Sequence, residues 1–318
     1  MVDISVILVT ARPEYSIIGQ PELDMLSNIE NCLKRQTFKE FELIVVDTLY
    51  NSRIHSFEGL PFEIKHVPVH PKHRTWIDRK RYNICGALNT ALMYAEGELV
   101  VRIDDCSEFD EGYLQRIWDE YETGLWLQGM HVKYLNGKIA VDANGVISQD
   151  SRIPITESHG GRCLGPHEWM YGYATFPMEA AIKVNGFDEL FDGDKQQEDQ
   201  DFGSRLCLAG YTGKFLVDSR HKVIEHEHME IPCDIIDPSN RSIKCNYAIY
   251  LLSRMKNLWR ANNVKLSKED ILFIKNETLR APCSTVNHMY ADDCEGELFQ
   301  LWIESQHLFD LRERRLEV

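Results

Sequence analysis

Two periodicities alternate through the first hundred residues. Ile4 to Thr10 is a β-branched, continuously apolar run, the pattern of a strand covered on both faces. Asp24 to Arg35 then carries Met25, Ile29, Cys32 and Leu33 at helical spacing, and Phe41 to Asp47 returns to an unbroken apolar run. Phe62 to Val67 predicts a third, shorter strand. From Tyr82 to Ala95 small and apolar residues share one helical face, and Gly97 stops that helix before a strand over Leu99 to Ile103. This strand ends in Asp104 and Asp105.

The order strand, helix, strand, strand, helix, strand predicts an α/β fold around a parallel sheet. Its C-terminal strand ends would carry Thr10, Asp47 and the aspartate pair along one edge, where open α/β sheets bind ligands beside the switch in strand order. Beyond residue 125 the pattern loosens into short strands and glycine-containing turns. Helical character returns at Pro177 to Val184 and Asp201 to Ala209, strands are expected at Lys214 to Val217 and His221 to Glu225, and helices dominate from Tyr247. We divide the chain into a domain over 1–230 and a mainly helical extension over 231–318. The extension's amphipathic helices, such as Tyr247 to Trp259, are candidates to cover a site or to join copies in a homo-oligomer.

Charge narrows the function. A net charge of -15 repels phosphate backbones and anionic lipid, which disfavours nucleic acid and membrane surfaces as partners. The basic patch found against this background is Lys72 to Arg81. The apolar run after Asp3 is too short for a signal segment or a membrane span, so the chain reads as cytoplasmic without a spanning helix. Nine cysteines without a regular framework read as thiols of a reducing compartment, and Cys233, Cys245, Cys283 and Cys294 are spaced too irregularly to favour zinc.

The chemistry-bearing residues each admit two readings. Asp104 and Asp105 repel one another unless a divalent cation lies between them, but aspartate is also common at strand ends, here ahead of Ser107 and Asp110 as helix caps. Glu198, Asp199 and Asp201 could serve acid-base chemistry or simply favour a helix dipole. His226 and His228 alternate along a strand and could face one metal ion, His226 being preferred, or form a surface pair. Arg81, with Lys80, could meet a diphosphate or be a solvated helix start. Trp169, Tyr171 and Tyr173 could stack on a sugar or pack in a core.

Three ordered blocks add a family likeness. Ile4-Ser-Val-Ile-Leu-Val-Thr10 with Leu33-Lys-Arg-Gln36 and Phe41-Glu-Leu-Ile-Val-Val-Asp47 resembles the opening of family 2 glycosyltransferases. The stretch from Arg81 through Ala95-Glu-Gly-Glu98 to Asp104-Asp105 resembles the segment leading to their DxD motif. Val184-Asn-Gly-Phe-Asp-Glu189 followed by Glu198-Asp-Gln-Asp-Phe-Gly-Ser-Arg205 is similar to the acceptor-side signature of that family and of galactosyltransferase relatives. After Asp47 the chain reads Thr-Leu-Tyr where the family has Asp-Gly-Ser.

The resemblance implies a GT-A α/β/α sandwich and an inverting, metal-dependent transfer of a sugar from a nucleotide diphosphate, a UDP-sugar favoured, onto the hydroxyl of a glycan or other acceptor. It assigns Thr10 and Asp47 to the nucleoside, Asp104 to the ribose or metal, and Asp105 with one late histidine to Mn²⁺ or Mg²⁺. Arg12 and Arg81 go with the donor, Asp199 is the general base, and Glu198 orients the acceptor or a neighbouring group. The rivals are a sugar-nucleotide nucleotidyltransferase and a non-catalytic binding homologue. The first wants a glycine-rich loop that Thr10-Ala-Arg-Pro13 lacks, and the second predicts a lost acid where Asp105 and Asp199 are present.

Overall fold

In the computed structural model of the chain, the described residues are 2–11, 16–17, 20–53, 57, 59–73, 83–135, 138–139, 174–193, 197–216, 222–226, 246–280 and 294–318. Along the chain, β1 (Ile4–Thr10) is followed by a small hairpin of β2 (Ser16–Ile17) and β3 (Gln20–Asp24) and by α1 (Met25–Lys34). Next come β4 (Phe41–Asp47), the short α2 (Tyr50–Arg53), β5 (Glu63–Val67), α3 (Ile84–Tyr94) and β6 (Leu99–Ile103). A turn through the aspartate pair enters β7 (Ser107–Glu108), then α4 (Tyr113–Glu120), β8 (Leu125–Gln128), β9 (Met130–Leu135) and β10 (Lys138–Ile139). The chain continues with β11 (Ala174–Pro177), α5 (Met178–Val184), α6 (Glu198–Leu208), β12 (Thr212–Phe215) and β13 (Lys222–Glu225). Helices α7 (Asn246–Met255), α8 (Lys268–Arg280), α9 (Cys294–Glu304) and α10 (Leu311–Arg314) follow.

The main sheet has the order β12-β8-β11-β6-β1-β4-β5, with β6, β1, β4 and β5 parallel and β11 antiparallel to both its neighbours. A second sheet, β10-β9-β13-β7, stands at the C-terminal side of β6. Strands β1, β4 and β6 are buried along their whole length because each sheet face carries its own core. Ile4, Val6 and Leu8 pack with Leu43, Val45, Leu99 and Val101 against α1 and α4. Ile7, Val9, Ile44, Val46 and Val100 face α3, α5 and α6. This covering on both sides is why no polar alternation marks these strands.

The C-terminal helices share the second of these cores. Ala248, Ile249 and Leu252 of α7, Ile274 of α8, Leu301 of α9 and Leu311 of α10 are buried with Leu88, Ala181 and Phe202. Their seams are also polar: the Asn185 side chain donates to the carbonyls of Ala261 and Phe309 and accepts from the Leu311 N–H.

Candidate active site

Parallel registry brings the first polar residues together. Thr10 lies opposite Asp47 where β1 and β4 end, and the Thr48 N–H donates to the Thr10 carbonyl at 3.0 Å. The Thr10 hydroxyl donates to Asp105 Oδ2 at 3.1 Å, so the ends of β1, β4 and β6 meet as the sequence predicts. Asp47 is fully buried, with Oδ1 accepting the Leu49 N–H and Oδ2 lying 3.2 Å from His66 Nε2. The His66 ring meets Tyr50 and Phe57 edge-on, which gives this corner two aromatic walls.

The aspartate pair divides its duties by exposure. Asp105 is buried, whereas the Asp104 side chain is 40% exposed and sits 3.7 Å from Arg102. Ser107 does not cap a helix: it begins β7, and its hydroxyl accepts the Asp104 N–H. Strand β13 pairs antiparallel with β7, and the His226 N–H donates to the carbonyl of Cys106, the residue after Asp105. The His226 backbone therefore lies beside Cys106, 120 residues earlier in the chain, and its Nε2 lies 2.6 Å from Glu108 Oε2. The hydrogen bond from His226 holds the Glu108 carboxyl below its usual range.

Helix α6 delivers the other acids. It starts one residue after Gln197, whose φ of 75° is a left-handed conformation that side chains with a Cβ rarely adopt. Glu198 is half-buried as a residue, yet its Oε2 is enclosed with no hydrogen-bond partner among the described residues. Burial pushes its carboxyl upward; Arg102 pulls the other way and Asp104 adds to the rise. Asp199 Oδ1 accepts the N–H of Gln200 at 2.7 Å.

Much of the third sequence block is scaffold. Asn185 closes α5 in the left-handed region at φ 69°, and Gly186 follows at φ 72°, where a Cβ would lie 2.3 Å from Asn89 Oδ1. Asn89 of α3 clamps this turn by accepting the Phe187 N–H and donating to the Phe187 carbonyl. Asp188 and Asp201 both engage buried Arg205, which also reaches Ser253 and the Leu258 carbonyl of the C-terminal part. Glu189 packs against His73 and Asn89, and burial raises its carboxyl to about 7. Asp192 accepts from the Cys85 and Gly86 N–H groups and from Asn83, capping α3 with a charge that its dipole favours. The Asp201–Arg205 pair is one helical turn apart and follows from spacing, whereas the partners of Asn89, Glu189 and Asp192 join segments about a hundred residues apart and do not.

Of the basic patch, Lys72 and His73 lie among the described residues. His73 is fully buried and uncharged, its pKa lowered to about 2 by desolvation and the nearby Arg314, while Lys72 pairs with Glu317. Arg12, Lys80, Arg81, Trp169, Tyr171, Tyr173, His228, Cys233, Cys245 and Cys283 lie outside the described residues. Among the described residues no three His, Cys, Asp or Glu side chains gather into a metal site, and no helix is long and apolar enough to cross a membrane. The carboxylate oxygens of Asp105 and Asp104 are the donor type that a hard divalent cation takes.

No protein-family model matches the sequence, and no curated protein sequence matches it. Solved structures do resemble the fold. S. aureus TarS 1-349 superposes with a TM-score of 0.53 at 15% identity, covering 99% of this chain and 88% of that one. Its complex with UDP-GlcNAc gives 0.51 at 17% identity, covering 96% and 82%. Against the longer TarS chain the TM-score is 0.53 at 15% identity; 94% of this chain is covered, and it spans about half (49%) of that protein. At these identities the likeness is one of architecture: the chain has the GT-A α/β/α fold.

Proposed function

We propose that the chain is a glycosyltransferase that moves a sugar from a nucleotide diphosphate, with a UDP-sugar as donor, to an acceptor hydroxyl. The observation that carries this reading is the meeting of Thr10, Asp47 and Asp105 at the C-terminal edge of the parallel strands, with Asp104 beside them. In an open α/β sheet that edge is the ligand site, and solved TarS structures of this fold hold UDP-GlcNAc or UDP.

In this reading Thr10 and Asp47 flank the nucleoside and Asp104 meets the ribose. Asp105 and His226 would hold Mn²⁺ or Mg²⁺, with Glu108 orienting the imidazole. Such an ion supplies Lewis-acid stabilisation of the departing diphosphate. We assign the remaining work to the start of α6, a separate segment of the chain. Asp199 takes the proton from the attacking acceptor hydroxyl on the side opposite the diphosphate, so the anomeric carbon inverts. Glu198, under the influence of both Arg102 and Asp104, orients the acceptor against the donor.

A panel of UDP-, GDP- and dTDP-sugars, read by thermal stabilisation and by nucleotide release with Mn²⁺, tests the proposal. UDP-sugars should stabilise the chain and be slowly hydrolysed. If no nucleotide sugar does either, the transferase reading fails.

A further inference from the structure

Arg102 is a cation placed where a sheet residue is expected to be apolar. It sits in β6 beside Ile7 of β1, is 5% exposed, and by strand alternation shares the face of Val100, towards α3, α5 and α6. Burying a guanidinium is costly unless carboxylates and aromatic faces receive it. Here its Nη2 is 3.7 Å from Asp104 Oδ1, and its guanidinium carbon lies 5.9 Å from the Phe187 ring centroid. Phe187 in turn stacks on Phe202 of α6, with centroids 4.0 Å apart and planes 14° from parallel.

Phe202 follows Glu198 by four residues, so the two side chains share a face of α6. The face that meets Phe187 is thus the face that carries Glu198 towards β6. The enclosed Oε2 of Glu198 has no hydrogen-bond partner among the described residues, and Arg102 is the cation that favours its charged form.

We infer that Arg102 is a positioning residue for the proposed transfer: its guanidinium ties the donor-side carboxylate Asp104 to the α6 acid Glu198 and fixes the distance between the two halves of the site. Arg102 does not touch the reacting atoms. It acts by keeping two carboxylates that repel one another in one arrangement, with the Phe187–Phe202 stack setting how far α6 stands from the sheet. The inference rests on the transferase reading only for its catalytic consequence.

Arg102→Met keeps the length and removes the charge; Arg102→Lys keeps the charge and loses the fork. Two double-mutant cycles with Glu198→Gln decide the matter. In chemical denaturation Arg102→Met should lower the midpoint in the wild-type background and by much less in the Glu198→Gln background, where the enclosed carboxylate is gone and only the solvent-reached Asp104 loses its cation. If Arg102→Met alone does not fold, Arg102→Met/Glu198→Gln should; failure of both, or equal loss in both backgrounds, makes Arg102 a packing residue and overturns the inference. With the donor found above, Arg102→Met should reduce kcat at least tenfold with donor KM within about threefold, Arg102→Lys should recover part of that, and the kcat losses of Arg102→Met and Glu198→Gln should not multiply. An unchanged kcat, or losses that multiply, would count against it. If no nucleotide sugar is turned over by the wild type, the functional reading has failed and the denaturation cycle alone judges the Arg102–Glu198 coupling.

Discussion

Arg205→Met removes the cation lying between Asp188 and Asp201 while roughly preserving volume. Arg205 donates from Nη2 to Asp188 at 2.7 Å and from Nε to Asp201 at 2.5 Å, and also reaches the Leu258 carbonyl and the Ser253 hydroxyl. All three charged residues are buried, so solvent cannot take over from the lost guanidinium. Breaking a buried ion pair from one side costs about 3–5 kcal/mol, and a folded domain has only about 5–15 kcal/mol in hand. We expect a loss of about 4 kcal/mol at pH 8 in urea denaturation, with partial unfolding at 37 °C. Burial already raises the Asp201 carboxyl to about 6 from its ordinary 3.8, against the downward pull of Arg205. A folded-state pKa above the unfolded one gives stability that is present in full below about pH 3.8 and is lost as pH rises through about 6. Without Arg205 that rise is larger, so the penalty of the substitution should be greatest at pH 8 and shrink towards pH 5. A cost below 1 kcal/mol, or one that does not depend on pH, would refute the view that this part of the third block is scaffold.

Three further outcomes follow from the same geometry. Asp199→Asn keeps the shape of the α6 start and removes the proton acceptor, so turnover should fall by about 10²–10⁴ with donor affinity little changed; near-normal turnover, or a product that retains the donor's anomeric configuration, would rule out the assignment. UDP binding by calorimetry should be largely lost in EDTA and in Asp105→Ala with Mn²⁺ present, because the diphosphate and the carboxylates then repel one another; undiminished affinity in either case removes the metal from the account. Gly86→Ala should cost about 1–3 kcal/mol, since its Cβ would lie 2.0 Å from the His73 carbonyl and crowd the Asn83 side chain; an unchanged denaturation midpoint would show that α3 can shift away from His73.

The parallel strands were legible from their unbroken apolar runs: Ile4–Thr10, Phe41–Asp47 and Leu99–Ile103 have the boundaries the pattern predicts. Helix α6 begins earlier than expected, at Glu198, because apolar periodicity starts only at Phe202 while the acidic first turn is already helical. The strand expected at His221 to Glu225 is β13, but β11 and the other strands of the second sheet have no expected counterpart, because short strands such as Ala174–Pro177 leave no alternation to read. At the site, the meeting of Thr10, Asp47 and Asp105 follows from strand order alone; a strand ahead of His226 was legible, but its pairing beside Cys106 was not. Arg102, Asn89 and Asp192 carry no such signal, and Glu189 is marked only as the end of a motif. Their roles depend on which distant segment each one meets, and a lone arginine in an apolar strand carries no periodic signal.

The central claim is that a nucleotide sugar binds where β1, β4 and β6 end, and a crystal structure of the chain with UDP and Mn²⁺ tests it most directly. The diphosphate should lie within metal-bridged reach of Asp105, with the nucleoside against Thr10 and Asp47. A nucleotide bound elsewhere, or a base beyond a side chain's reach of both Thr10 and Asp47, would contradict it.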